Sequence, residues 1–198
     1  MSIRIVALGD STTAGTPAFQ SPVEAPPHGR GDETSQYAYG LMEAHPEWQV
    51  INRGVNGERS DEIRARFDRD VVAERPRAVV IIAGVNDVYQ GRTTEEVTAH
   101  LAAMYARAAD ARIAVVAGSI VPYNTATPEQ NARMRGINDW IRRQPDIAFA
   151  DTRAAVAASD DPDRLFDSAD GLHPTPAGYR RMADAIRPAL ERVLRDNQ

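Results

Sequence analysis

Three side chains in this sequence could together do acyl chemistry: Ser11, Asp170 and His173. Ser11 closes Gly9-Asp10-Ser11, directly after an apolar run at residues 3–8. Asp170 and His173 stand three positions apart in Asp170-Gly171-Leu172-His173, near the other end of the chain. A serine hydroxyl is a weak nucleophile until a histidine takes its proton, and a carboxylate that orients the imidazole makes the histidine effective. A tight turn can set an aspartate against one ring nitrogen of a histidine three residues on, leaving the other nitrogen to face a hydroxyl. Alone, each residue has a plainer reading: Gly-Asp-Ser as a turn, His173 as a loop histidine, and Asp170 as a turn former before Gly171.

Acyl transfer also needs donors for the oxyanion that develops on the substrate. The backbone N–H of Ser11 is one candidate. A second is Gly57, which closes Asn52-Arg53-Gly54-Val55-Asn56-Gly57, because a glycine lets its N–H approach a ligand closely. The third is the side-chain amide of Asn86 in Gly84-Val85-Asn86-Asp87. Asp10 is expected only to tie down its own turn. Arg53, Arg59 and Tyr89 lie near these motifs in sequence and are candidate contacts for a polar alcohol, with ordinary solvated loop positions as the competing reading.

The elements that must position these residues alternate. Short apolar runs at 3–8, 49–51, 78–83, 113–117 and 147–150 read as strands buried on both faces. Between them come helix-period segments with start signals. Ser60 is expected to cap a helix carrying Ile63, Phe67 and Val71. Thr93 with Glu96, and Thr127 with Pro128 and Gln130, form capping boxes. Thr175-Pro176 opens a last helix with Tyr179, Met182, Ala183, Ile186 and Leu190 inward, and Pro188 is expected to kink or break it. The interleaved charges of Arg64-Ala65-Arg66-Phe67-Asp68-Arg69-Asp70 read as a solvated helix face. This order predicts an α/β fold, a three-layer α/β/α sandwich on a five-stranded parallel sheet, as one domain over residues 1–198. Ligands of such sheets bind beyond the carboxyl ends of the strands, where Ser11, Gly57 and Asn86 fall. Residues 16–34, rich in proline and glycine, are expected to form a surface loop that overhangs Ser11 and adds little to stability.

Four blocks now make a pattern. Gly9-Asp10-Ser11-Thr12, Asn52 to Gly57, Gly84-Val85-Asn86-Asp87 and Asp170-Gly171-Leu172-His173-Pro174 resemble, in order and over nearly the whole chain, the motif blocks of the SGNH hydrolases, or GDSL-type esterases and lipases. The resemblance implies a flavodoxin-like fold with Ser11 as nucleophile, His173 as base and Asp170 as its orienting partner. It implies an oxyanion hole of Ser11 N–H, Gly57 N–H and Asn86. The expected activity is a serine esterase working through an acyl-enzyme on short acyl groups carried by a polar or carbohydrate-like alcohol. Two other readings use the same fold: an acyltransferase with the same acyl-enzyme, and a catalytically silent carbohydrate-binding protein. Thr12 stands where the leucine gave the GDSL motif its name.

Composition sets the remaining bounds. The 198 residues carry a net charge of −5, which gives no basic stripe for a nucleic acid or an anionic membrane. There is no cysteine, so disulfides and thiolate chemistry are excluded. His28, His45, His100 and His173 show no ligand spacing, and neither a metal nor a cofactor is expected. No run reaches the ~18 apolar residues of a membrane span. The opening Met-Ser-Ile-Arg-Ile-Val enters a strand without a signal peptide's apolar stretch, so a cytoplasmic location is expected. The partner expected is a small-molecule ester, and the sequence leaves the oligomeric state open.

Overall fold

The computed structural model describes residues 2–196; Met1, Asn197 and Gln198, the ends of the expected domain, lie outside the described residues. Among the described residues seven strands form: β1 (Ile3–Gly9), β2 (Phe19–Gln20), β3 (Arg30–Gly31), β4 (Trp48–Gly54), β5 (Ala78–Ile82), β6 (Ala114–Gly118) and β7 (Ala148–Ala150). Five of them make one sheet in the order β4-β1-β5-β6-β7, with every pairing parallel. The first connection leaves β1 toward β4 and the next crosses back to β5. The strand order therefore reverses around β1, and a crevice opens between the carboxyl ends of β1 and β5. This is the expected flavodoxin-like order.

The helices are α1 (Ser11–Ala14), α2 (Tyr37–Ala44), α3 (Ser60–Ala65), α4 (Phe67–Asp70), α5 (Val85–Tyr89), α6 (Thr94–Asp110), α7 (Pro128–Arg142), α8 (Thr152–Val156) and α9 (Pro176–Asp196). They cover both faces. Ile5, Ala7, Val80 and Val116 pack against Tyr37 and Leu41 of α2 and Tyr179, Met182, Ile186 and Leu190 of α9. Val6, Leu8, Val79, Ile81 and Val115 pack against Ile63, Phe67, Val97, Leu101, Met104, Met134 and Ile137. The alternation along β1 thus feeds two cores, one on each side of the sheet. Among the described residues no helix is long and apolar enough to cross a membrane.

The capping boxes form as expected: Thr93 accepts from Glu96 N–H, and Thr127 from Gln130 N–H. Three expectations are corrected. Ser60 does not cap α3. It is the helix's first residue, and its hydroxyl and N–H both go to Asp87. The single helix expected to follow it is split at Arg66 into α3 and α4, although Ile63, Phe67 and Val71 are all buried. Pro188 does not break α9, which continues to Asp196. Pro188 and Asp184 both lie on the exposed side, where water can take the carbonyl that a proline leaves without a donor.

Residues 16–34 are more than an overhanging loop. Phe19–Gln20 pairs antiparallel with Arg30–Gly31, and Phe19 and Ser21 are buried. The segment is fastened to the loop after β4. Ser21 Oγ donates to Gly54 O at 2.6 Å, Asn56 N–H donates to Glu24 Oε1 at 3.0 Å, and Thr16 Oγ1 donates to Asn56 Oδ1.

Candidate active site

The nucleophile turn begins where β1 ends. Asp10 caps α1, with Thr12 N–H donating to its Oδ1 at 2.9 Å, the turn-fixing role expected for it. This puts Ser11 at the first position of α1, at the crevice. The turn fits because β4 lets it: a Cβ on Gly54 would stand 2.1 Å from the Ala14 nitrogen, so only glycine allows α1 so near. Asn52, buried under the same turn, donates to Ala14 O at 3.0 Å and to Gln36 Oε1 at 2.7 Å.

Asp170 and His173 arrive from the turn before α9. Asp170 Oδ1 accepts both the Leu172 and His173 N–H groups at 2.8 Å, which holds the carboxylate still. Its Oδ2 lies 2.7 Å from His173 Nδ1, and His173 Nε2 lies 3.0 Å from Ser11 Oγ. Partial burial pushes the Asp170 carboxyl up, but the His173 ring and the two backbone donors outweigh it and bring it down to about 2. An ionised carboxylate only accepts, so His173 Nδ1 carries the hydrogen and Nε2 offers its lone pair to the Ser11 hydroxyl. Ser168 Oγ donates to His173 O at 2.7 Å and steadies the turn from below.

Gly57 and Asn86 flank the crevice. Gly57 has φ +77°, a left-handed conformation that glycine adopts freely, and among the described residues no atom beyond its two chain neighbours lies within 4 Å of where a Cβ would be. Asn86, in α5 just past β5, donates one amide hydrogen from Nδ2 to Glu58 O at 2.9 Å. That bond fixes the amide and leaves its second hydrogen unspent.

The three candidate substrate contacts divide. Arg53 Nη2 pairs with Glu74 at 2.6 Å, and Glu74 also holds Arg4 near the other end of β1, while Arg53 Nε is buried without a hydrogen-bond partner. Arg59 is held by Asp61 at 3.0 Å and reaches Gln90 Oε1 at 3.1 Å, so it serves as a strut between two loops. Tyr89 remains open. It is 63% exposed, with its ring edge-on to Tyr123 at 6.0 Å. Tyr89 and Leu172 are the exposed large hydrophobics among the described residues; one follows Asn86 by three positions and the other precedes His173. A cavity of about 830 Å³ lies elsewhere, against the amino ends of β6 and β7 near Tyr105 and Arg192.

Some supporting groups escaped the sequence reading. Arg66 and Asp70 are buried, not on a solvated face. Arg66 donates to Gly9 O at 2.9 Å and Arg53 O at 2.8 Å, where β1 and β4 end, while Glu58 and Asp70 balance its charge. Asp10 is also unusual. Burial raises its carboxyl to about 7 against the pull of the Thr12 hydrogen bonds, and its Oδ2 has no partner.

The comparisons agree with this architecture. Residues 7–181 match the model of the GDSL-like Lipase/Acylhydrolase family. A protein assigned to the G-D-S-L lipolytic family from Desulfitobacterium hafniense DCB-2 superposes with a TM-score of 0.78 at 23% identity, covering 95% of this chain and 99% of that one. A catalytic mutant of an acetylxylan esterase from Geobacillus stearothermophilus gives a TM-score of 0.72 at 20% identity, over 98% of this chain and 95% of that one. At such identities the likeness concerns the fold. In sequence, an acetylxylan esterase from Geobacillus stearothermophilus is 39% identical over 57 residues, which is 27% of this chain and 26% of that relative's length.

Proposed function

The chain belongs to the GDSL-like lipase/acylhydrolase family, and from that premise we propose that it is a serine esterase whose nucleophile, base and orienting carboxylate are Ser11, His173 and Asp170. The observation that carries this reading is the continuous line from Asp170 Oδ2 through the His173 ring to Ser11 Oγ, at 2.7 and 3.0 Å. Ser11 Oγ attacks the ester carbonyl carbon as its proton passes to His173 Nε2. The oxyanion rests on Ser11 N–H, Gly57 N–H and the free amide hydrogen of Asn86. As the tetrahedral carbon collapses, His173 gives the proton to the departing alcohol and an acyl-serine remains. Water then repeats the cycle in reverse roles and releases the acid. Asp170 stays ionised and stabilises the imidazolium without taking its proton.

The substrate we infer is a short acyl group on a polar, carbohydrate-like alcohol. Tyr89 and Leu172 support it, since an exposed ring and an exposed aliphatic group beside Asn86 and His173 suit the apolar faces of a sugar. The partial likeness to an acetylxylan esterase points the same way. A panel of esters varying in acyl length and alcohol tests the reading, with Ser11→Ala as the blank. We expect turnover to be abolished in Ser11→Ala without loss of folding, and acetyl esters of sugars to outrank long-chain esters. Undiminished turnover in Ser11→Ala would overturn the mechanism, and a preference for long chains would overturn the substrate class. Adding a free sugar or alcohol and measuring acyl transfer to it separates hydrolysis from acyltransfer.

A further inference from the structure

Beside the site stands a second serine, histidine and aspartate, which the reaction above does not use. Ser60 follows Gly57 by three positions, Asp87 follows Asn86, and His100 projects from α6. Ser60 and Asp87 are buried. Asp87 Oδ2 accepts the Ser60 N–H at 2.8 Å, and Asp87 Oδ1 accepts the Ser60 hydroxyl at 2.6 Å. His100 Nδ1 lies 3.0 Å from Ser60 Oγ. A hydroxyl has one hydrogen to give. Once it goes to Asp87, His100 Nδ1 must be the donor to Ser60. The hydrogens therefore run from histidine to serine to aspartate, the reverse of a nucleophilic relay. His100 is therefore no base toward Ser60, and the burial of Ser60 keeps substrate away. This constellation is not a second catalytic site.

Its position gives it another use. Residues 57–60 bring the Gly57 N–H to the crevice, and α5 brings the Asn86 amide. Every bond of the constellation joins the first of these segments to the second or braces that joint from α6. Two more bonds cross the same seam: Asn86 Nδ2 to Glu58 O at 2.9 Å and Arg59 Nη1 to Gln90 Oε1 at 3.1 Å. We propose that Asp87, Ser60 and His100 form a positioning clamp that sets the distance between the Gly57 N–H and the Asn86 amide. The proposal rests on the assignment of those two groups as oxyanion donors. Donors stabilise an oxyanion only when they sit where its charge develops, so a clamp that fixes their separation acts on the transition state and little on substrate binding.

The tests are kinetic and dynamic. Ser60→Ala should lower kcat on p-nitrophenyl acetate by roughly 10-fold with KM within about twofold, because one misplaced donor loses part of the 10²–10³ it can supply. Asn86→Ala should remove more. The double variant should lose markedly less than the product of the two single losses, because the clamp has less to place once the amide is gone. His100→Ala, on a half-exposed side of α6, should show a smaller loss of the same kind, and it carries the test if Ser60→Ala does not fold. Hydrogen exchange at residues 57–59 should accelerate in either variant while exchange in β1 and β5 stays constant. Fully multiplicative losses, a loss expressed in KM alone, or unaltered exchange at 57–59 would overturn the clamp. If the wild-type chain hydrolyses no ester, the proposed function falls, and the exchange measurement still decides whether the clamp holds the loop.

Discussion

Ser11 shares its turn with Asp10, a carboxyl with one unpartnered buried oxygen and an affinity for protons raised to about 7 by burial. The folded chain therefore holds a proton on Asp10 across a range where the unfolded chain, near 3.9, has released it. The stability this contributes is full below about pH 4 and is lost as pH rises through about 7, a loss of up to about 4 kcal/mol on complete titration. Asp170 runs the other way. Its carboxyl is held at about 2, so its contribution is present above about pH 4 and is lost as pH falls toward 2. Asp10→Asn, which keeps the oxygen that accepts from Thr12, should flatten the decline in melting temperature between about pH 4 and pH 7. Parallel declines in the variant and the wild type would show that Asp10 does not titrate in this range. The sequence made Ser11, Asp170 and His173 visible because each sits in a short motif. It hid Arg66, whose targets are the carbonyls of Gly9 and Arg53, far away in the chain; only its alternating charges were on view, and they resemble a solvated surface.

At the scale of elements, the same rule separates what was legible from what was not. The starts of α6 and α7 were readable because Thr93 with Glu96 and Thr127 with Gln130 complete their hydrogen bonds within four residues. Ser60 looked equally good as a cap, but a carboxylate 27 residues further on takes its hydroxyl. The five sheet strands announced themselves as apolar runs, whereas β2 and β3 are two residues each, too short for any periodicity to register. Residues 16–34 consequently read as a loop, and the fastenings of Ser21, Glu24 and Thr16 to the loop after β4 were out of view. They change what the segment is expected to do. Replacing residues 22–32 with a Gly/Ser linker removes Glu24, the acceptor for Asn56 N–H one position before Gly57. Turnover of even a small acetyl ester should then fall several-fold, in addition to any change of ranking among bulkier esters. Unchanged turnover of the small ester would return the segment to the status of an overhanging loop.

The whole molecule is a parallel sheet between two cores, and the reversal of strand order around β1 puts the candidate groups at one end of it. This much followed from the rhythm of apolar runs and helix signals, because handed crossovers leave few ways to wind such a chain. The hydrogen bond between Ser11 and His173 has a further consequence, for the order of events in folding. Its two ends are 162 positions apart, and His173 leads directly into α9, whose inner face closes the core over α2. Contacts this distant in sequence form late, because the entropy of closing the intervening chain is lost before the contact can return anything. A refolding chain should therefore build β1, β4 and β5 and present a serine that is still inert, gaining reactivity only when α9 docks. Trapping Ser11 with a phosphonate at successive refolding times should give a labelling curve that lags the recovery of β-sheet signal and follows the burial of Tyr179. Labelling that kept pace with the sheet would show the acid–base pair assembling before the C-terminal helix locks.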